Sequence, residues 1–472
     1  MRKKPWISRS NVLYLPCILK IRLQMERLIT QKLVDWNASK QRKPLIIRGA
    51  RQVGKSFSVM QFGHHYFKDR VHLVNFEKHP EWIRIFDLNL DPVRIINELG
   101  VLLNTTISKE NDLLFFDEIQ MAPKAIMALR YFYEEMPELH VIAAGSLLEF
   151  ALQEISFPVG RVSILSMYPM NFYEFLRATG KDKLAEIIVA KPEKLADLIH
   201  STLLDNLRQY MFIGGMPACV EAWRKRTSLV EVFEIQQDLL DTFRQDFSKY
   251  GRVVDKNSLN FALNAVARNI GHPVKYAQVS DNFSGHINKR ALELLSLARL
   301  ITKVQASTAA SLPLGAYIKE HKFKMLLVDL GLLRSLNQLP ANIEYLKSDL
   351  MSVYNGAMAE QFAGQEFLSS GNENLYFWSR EAKNSSAEVD YLFTRQNQIC
   401  PAEIKSGPAG KLRSMHLLLK TYDHLDTGYV LSAAPYGELP DQKLRFLPLY
   451  YAFWLSTENS STIKLNHDNS VI

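Results

Sequence analysis

Along this chain, short continuous apolar runs alternate with longer stretches of helical spacing. The runs Pro44–Ile47, Val71–Phe76, Leu113–Phe116 and His140–Ala144 are each too short for a helix. Apolar strands of this length, separated by helix-length segments, are what a parallel sheet covered on both faces requires. Upstream, Leu28, Ile29, Leu33, Val34 and Trp36 fall at helical spacing. Residues 25–167 therefore read as an α/β domain. From 168 to 255 the pattern is mostly helical, broken at Gly214–Pro217. Residues 256–345 hold helical patterns at Ser258–Asn269, Tyr276–Phe283 and Ile287–Leu300, then a strand at Ile301–Gln305, the outline of a winged helix-turn-helix. Residues 346–450 turn mixed, with a helix over Val353–Leu368 and strands at Asn374–Trp378, Glu388–Phe393 and Gln398–Ile404. A helix at Leu412–Tyr422 and a strand at Gly428–Ser432 follow, and 451–472 read as a tail.

Composition narrows the class. A 472-residue chain that is 47% hydrophobic and 22% charged is globular and multidomain, which excludes a disordered chain. The cysteines Cys17, Cys219 and Cys400 are too scattered for a disulfide framework or a four-thiolate zinc site, so a reducing cytoplasm is expected. No uninterrupted run of 18 apolar residues occurs, so no membrane span is expected. The net charge of +8 is unevenly spread: residues 1–55 carry fourteen Lys/Arg against two acids, leaving the other 417 residues at −4. Basicity belongs to the leading segment and does not argue for nucleic acid elsewhere. Residues 1–24 have an apolar run, Val12–Leu19, but Lys20 and Arg22 follow at once and no small-residue cleavage site appears. They read as an extension upstream of a start at Met25 rather than Met1.

The densest chemistry lies at Gly49-Ala50-Arg51-Gln52-Val53-Gly54-Lys55-Ser56, directly after the first apolar run. It fits G-x-x-x-x-G-K-[ST] at every fixed position. Glycines let such a loop fold around an oxyanion, and the helix beginning near Lys55 adds its positive end. Lys55 is expected to reach the β- and γ-phosphates of ATP, and Ser56 to offer an oxygen to Mg²⁺. The run Leu113–Phe116 ends in Asp117-Glu118, acids delivered at a strand's carboxyl end, where open α/β sheets bind ligands. Asp117 is expected to complete the metal site and Glu118 to polarise the attacking water. Ser146, after the next strand, would stand beside Glu118, although a Gly-Ser turn also serves simple chain reversal. Arg161, after the Gly160 turn, is the candidate arginine for the developing charge, in its own subunit or on a neighbouring one of a homo-oligomer, although a plain surface arginine reads the same way.

The strings PLIIRGARQVGKS, LLFFDEIQ, VIAAGSLLEF and YMFIGGMP (Tyr210–Pro217) resemble a family of prokaryotic AAA-type ATPases. In that family a phosphate-loop domain precedes a winged-helix-like region and a C-terminal domain of uncharacterised function. The similarity runs from about Met25 to about Ser432. It implies a sheet in which the Asp117 strand is not adjacent to the phosphate-loop strand. It supplies no substrate.

In the C-terminal region, Asp390 is followed by Glu403-Ile404-Lys405. Positions 403 and 405 of a strand share a face, so a carboxylate and a lysine project together beside an acid from a neighbouring strand. PD-(D/E)xK nucleases use such a set, two acids binding Mg²⁺ and the lysine steadying a hydroxide. Glu360, on the preceding helix, is a further carboxylate. The family's C-terminal domain resembles this restriction-endonuclease-like fold. The expectation is thus a Mg²⁺-dependent ATPase acting on DNA or RNA through its C-terminal domain. The alternatives are a nucleotide-dependent switch that binds a protein partner and cuts nothing, and a DNA-binding regulator working through Lys289, Arg290 and Arg299 of the winged-helix candidate.

Overall fold

A computed structural model describes residues 25–152, 157–250, 255–338, 355–382, 385–405 and 412–457. The leading segment 1–24 and the choice between Met1 and Met25 lie outside these residues, as do 458–472.

The first unit begins with α1 (Ile29–Ala38), which lays Ile29, Leu33 and Trp36 into the core. There follow β1 (Leu45–Arg48), α2 (Lys55–Tyr66), β2 (Val71–Asn75), α3 (Ile85–Leu88), α4 (Pro92–Leu102), β3 (Leu113–Asp117), α5 (Pro123–Glu135), β4 (His140–Gly145), α6 (Leu148–Leu152) and β5 (Ser163–Ser166). The strands form one parallel sheet in the order β2-β3-β4-β1-β5. Alternate residues go to opposite faces, as strand geometry demands. Ile47, Leu113, Phe115 and Ala144 enter one core, and Ile46, Leu114, Phe116 and Ala143 enter the other. Burial on both faces explains why the sequence shows unbroken apolar runs instead of alternation. β3 is separated from β1 by β4, the non-adjacent arrangement that the family resemblance implies.

Residues 168–250 are mostly helical: α7 (Phe172–Ala178), α8 (Asp182–Val189), α9 (Asp197–Ile213), α10 (Pro217–Arg226) and α11 (Leu229–Asp246). Asn171 and Glu174 cap α7 reciprocally. The next helices are α12 (Lys256–Arg268) and α13 (Gly285–Leu297), then the antiparallel pair β6 (Ile301–Ser307) and β7 (Ile318–Leu327), and α14 (Leu330–Leu336). The helix expected over Tyr276–Phe283 is a single 3₁₀ turn, Tyr276–Gln278. Beyond it, the Asn288 amide collects the Tyr276, Ser280 and Phe283 carbonyls, closing a compact loop in place of a helix.

The last elements are α15 (Asn355–Ser369), β8 (Tyr376–Ala382), β9 (Ser385–Arg395), β10 (Gln398–Ile404), α16 (Arg413–Thr421), β11 (Gly428–Ser432), β12 (Gly437–Leu439), β13 (Leu444–Pro448) and α17 (Ala452–Ser456). Their sheet is mixed, in the order β12-β13-β11-β10-β9-β8-β6-β7. Two expected boundaries change. The sheet runs across residue 345, because β6 pairs in parallel with β8 and brings the β6–β7 hairpin with it. The expected tail begins inside the core, since Phe453 and Leu455 of α17 are fully buried against the helical segment and α15.

One buried acid joins these parts. Asp329, which caps α14, accepts hydrogen bonds from the Gly215, Gly331 and Leu332 amides at 2.6, 2.9 and 3.2 Å. Burial pushes its carboxyl up to about 6. Gly215 packs so closely that a Cβ would fall 1.9 Å from the Met170 carbonyl, which accounts for glycine at that break. Replacing Asp329 by Ala strands several buried donors and is expected to cost about 2–4 kcal/mol, read as a lower urea midpoint with an unchanged slope. A loss below about 1 kcal/mol would contradict this reading.

Candidate functional site

The site is built at the carboxyl edge of the first sheet. Register pairs Arg48 with Gly145 and Asp117 with Ala144, so the chain ends of β1, β4 and β3 reach one level. The phosphate loop leaves β1 there and turns into α2. Gly54 caps that helix at φ 98°, a left-handed conformation that glycine adopts without a Cβ penalty. Gly49 has no room for a side chain, because a Cβ would lie 2.2 Å from the Met167 carbonyl. Arg27 braces the loop from outside. Its guanidinium donates to the Val53 carbonyl at 2.8 Å and the Tyr168 carbonyl at 2.7 Å, and pairs with Glu174 at 2.9 Å.

Within the loop, Lys55 folds back so that its Nζ donates to the Gly49 and Ala50 carbonyls at 3.0 and 2.8 Å. Burial lowers its ammonium to about 8, against the opposing pull of Glu118 and Asp117. The Ser56 hydroxyl donates to Asp117 Oδ1 at 2.9 Å, and Asn75 donates to the other carboxylate oxygen at 3.1 Å. Burial also raises Asp117 above the usual carboxylate range. The Arg51 side chain reaches buried Asp246 at the end of α11, where one guanidinium nitrogen donates to both carboxylate oxygens at 2.8 and 2.7 Å.

Glu118 sits at φ 52°, a left-handed conformation uncommon for a side chain with a Cβ. The turn swings its carboxylate out of the strand line, where Gln120 donates to Oε2 and the Ser146 hydroxyl lies 3.5 Å away. Strain at a residue held by two neighbours is a feature of functional positions. Ser146 is thus beside Glu118, as the chain order suggested. Arg161 is not in this site. It precedes β5 at the amino edge of the sheet, opposite the phosphate loop, and pairs with Glu134 at 3.0 Å on an exposed surface.

The oxygen donors of Ser56 and Asp117 fit Mg²⁺, a hard cation that takes one or two protein ligands and completes its shell from water and phosphate. Among the described residues, no group of three His, Cys, Asp or Glu side chains is arranged to hold a metal by itself. A metal here would therefore need the nucleotide's own oxygens.

A second cluster lies in the mixed sheet. Glu360, Asp390, Glu403 and Lys405 do come together, around a residue that the sequence reading left out: Lys324 of β7. Its Nζ lies 2.8 Å from Glu360, 2.7 Å from Glu388 and 3.3 Å from Asp390. Lys405 pairs with Glu403, and the second Asp390 oxygen accepts the Ile404 amide at 2.8 Å. Burial and the neighbouring Asp390 push Glu360 up to about 8 and Glu403 to about 7. Burial opposes the Lys324 charge, but the surrounding acids hold it well above the ordinary lysine value.

Other residues were missed for identifiable reasons. Asn75 closes β2 inside the run Val71–Phe76, and Gln120 follows β3; both lie at the ligand edge, legible positions whose chemistry was not read. Lys324 is a lone charge in the apolar stretch Phe323–Leu327, a signal of the same kind as Glu403. Arg27 carries no local signal, because its partners are 26 to 147 residues away.

The chain resembles known proteins over several segments. Residues 41–176 match the AAA domain family, and residues 204–343 and 355–450 match domains of unknown function (DUF8612 and DUF4143). An uncharacterized protein of Methanocaldococcus jannaschii, MJ1544, is 24% identical over 374 residues, covering 75% of this chain and 74% of that one. An uncharacterized protein of Haemophilus influenzae is 25% identical over 308 residues, covering 61% and 68%. Among solved structures, the Walker-type ATPase PABY2304 of Pyrococcus abyssi aligns with a TM-score of 0.43 at 15% identity, covering 66% of this chain and 96% of that one. The parallel-sheet α/β unit that carries the first site thus contains the stretch, residues 41–176, that matches the AAA domain family.

The Lys55 environment has a direct pH consequence. Above about 8 the free protein has lost the Lys55 proton, and binding a phosphate must draw it back. Affinity for ATP is expected to be flat to about pH 7.5 and then to fall, by up to about tenfold per pH unit, with measurable proton uptake. Titration with a fluorescent ATP analogue between pH 6.5 and 9.5 checks this. A constant Kd across the range would contradict the assignment.

Proposed function

We propose that this chain binds ATP with Mg²⁺ at the carboxyl edge of the first sheet and hydrolyses it. The observation that carries the reading is the Ser56–Asp117 hydrogen bond, at 2.9 Å, set between Lys55 and Glu118. Backbone amides of the loop from Ala50 to Ser56, with the start of α2, cradle the phosphates. Lys55 exchanges its carbonyl partners for phosphate oxygens and keeps its proton. Ser56 and Asp117 hold the metal, which supplies charge neutralisation on the phosphates. Glu118 orients a water toward the γ-phosphate, its carboxylate aimed by Gln120 and Ser146. An arginine facing the γ-phosphate from a neighbouring subunit is part of this reading, with Arg161 as the exposed candidate.

What hydrolysis moves is suggested by ion pairs that leave the site. Arg51 reaches α11 through Asp246, and Arg299, at the α13–β6 corner, pairs with Glu149 of α6 at 2.7 Å. Arg48 pairs with Glu373, just before β8, at 2.7 Å. A change at the phosphate loop is thereby communicated to the helical segment and the mixed sheet. This favours a nucleotide-dependent switch toward a partner over direct DNA reading. The order α12, a strand-like bridge at Val274, 3₁₀ turn, α13 and β6–β7 hairpin is winged-helix-like, yet its basic residues are engaged. Lys289 and Arg290 face Glu293 at 3.9 and 3.4 Å, and Arg299 faces Glu149. The convergence of Glu360, Asp390, Glu403 and Lys405 keeps a restriction-endonuclease-like reading, with DNA or RNA as its substrate, as the second proposal.

Steady-state phosphate release tests the primary reading. Lys55→Ala is expected to abolish turnover and weaken ATP binding. Glu118→Gln is expected to keep ATP affinity within about threefold while turnover falls by about 10²-fold or more. Parental turnover in Glu118→Gln would remove that residue from the role.

A further inference from the structure

The phosphate loop carries an arginine of its own, Arg51, four residues before Lys55. Its cation is held by carboxylates. One guanidinium nitrogen donates to both oxygens of Asp246, and the other lies 3.4 Å from Glu77. The Asp246 hydrogen bonds, with the charges of Asp246, Glu77 and Glu118, outweigh burial and hold the Arg51 proton more tightly than usual. Glu118 is the residue set to orient the attacking water, and Glu77 lies two residues beyond Asn75, which bonds Asp117. The guanidinium thus stands on the catalytic side of the loop. Burial lowers the Lys55 ammonium, and the Arg51 charge is close enough to add to that effect. The other arginines around the loop are committed elsewhere. Arg27 braces it from outside, Arg48 pairs with Glu373 and Glu149, Arg299 pairs with Glu149, and Arg161 lies at the opposite edge.

The grip on Asp246 is exchangeable. Asp246 is buried, and stranding its charge would be costly, yet Lys249 also reaches its Oδ1 at 3.0 Å and remains when Arg51 leaves. The Glu77 contact is half-exposed and weak. The Arg51 side chain is itself 28% exposed, so it turns without unpacking a core. A triphosphate offers more negative charge than one carboxylate, and its oxygens match the planar guanidinium fork. We propose that Arg51 is a catalytic residue that changes partner with the nucleotide state, held by Asp246 when the γ-phosphate is absent and donating to γ-phosphate oxygens when ATP is bound. The proposal rests on the ATPase reading and adds to it a cation from each chain's own loop, independent of any arginine from a neighbouring subunit. In the step itself, the water oxygen bonds to the γ-phosphorus as the bond to the β,γ-bridging oxygen breaks. ADP keeps that oxygen with the bonding pair, and the water proton leaves with the phosphate by way of Glu118. Arg51 makes and breaks no covalent bond; it neutralises charge spread over the γ-oxygens. The exchange also signals the nucleotide state, because α11 loses its tie to the loop while the γ-phosphate is present and regains it on release.

The test uses the full chain, with the parent and Lys55→Ala alongside. Arg51→Met, which keeps the stem and removes the charge, is expected to lower turnover by about 10²-fold or more. Its ADP affinity should stay within about threefold, and it should fail to form the stable Mg·ADP–aluminium fluoride complex that the parent forms. Arg51→Lys keeps the charge without the fork and is expected to recover only part of the turnover. Asp246→Asn is expected to act in the opposite direction, since it weakens the competing partner. ATP should bind about threefold or more tightly, with turnover within about threefold of the parent. Were the pair only a brace between loop and helix, Arg51→Met and Asp246→Asn would lose activity together. That result, or parental turnover in a folded Arg51→Met, overturns the proposal. Should Arg51→Met not fold, amide hydrogen exchange of the parent decides. Exchange over residues 243–250 must be faster with a non-hydrolysable Mg·ATP analogue than with Mg·ADP, and equal exchange overturns the proposal. A parent without ATP turnover overturns the ATPase reading and this proposal with it, whereas an active parent beside an equally active Arg51→Met overturns the proposal alone.

Discussion

The parallel register of β3, β4 and β1 is the constraint from which the rest of the site follows. Because Asp117 is level with Ala144, and Arg48 with Gly145, an acid, a hydroxyl turn and a phosphate loop emerge side by side at one edge. A slip of one residue in β3 would turn Asp117 to the opposite face and exchange Phe115 and Phe116 between two cores, each shaped for the other. The fit of Leu113 and Phe115 into one core and of Leu114 and Phe116 into the other opposes that slip, so the packing of Leu113–Phe116 is also what aims the carboxylate. Here stability and chemistry use the same residues.

Around that edge, charge is distributed to tie remote parts of the chain to the loop. Arg27, Arg48, Arg51 and Arg299 all end on acids or carbonyls within or next to the phosphate-loop region, and each partner comes from a distant segment. Most of these pairs are at least partly buried, where screening is weak and a change at one member is felt by the other. A small movement of the loop thus has several rigid outlets, into α11, the β6 corner and the start of the mixed sheet. The shared core, which runs without a break from α1 through the helical segment to α17, gives those outlets something stiff to push.

Local signals made much of this legible in the sequence. The apolar runs gave the strands of the first sheet except β5, whose Ser163–Ser166 is polar at both ends and half-buried at an edge. Strands β10 and β11 were read at their observed bounds because Pro, Gly and charged residues flank compact apolar cores. The phosphate loop, Asp117 and Glu118 were legible because glycine, lysine and acid spacing is a local property. What escaped was non-local. β7 pairs across a long loop and carries charges at Lys319, Glu320, Lys322 and Lys324, which disguised it as surface. The partnership of Lys324 with Glu360, Glu388 and Asp390 spans up to 66 residues, and no window of sequence contains it. α17 was read as tail because five residues show no period, although their burial is complete. Nor did any local signal tell that Arg161 would face away from the loop, since that depends on which end of β5 meets β1.

The central claim is that the loop before Lys55 opens to wrap a triphosphate. A crystal structure of the full chain with Mg²⁺ and a non-hydrolysable ATP analogue tests it most directly. The account requires Lys55 Nζ to leave the Gly49 and Ala50 carbonyls for the phosphates, and Ser56 and Asp117 to part around the metal. A loop still closed on its own lysine, with Ser56 and Asp117 still bonded at saturating nucleotide, would contradict it.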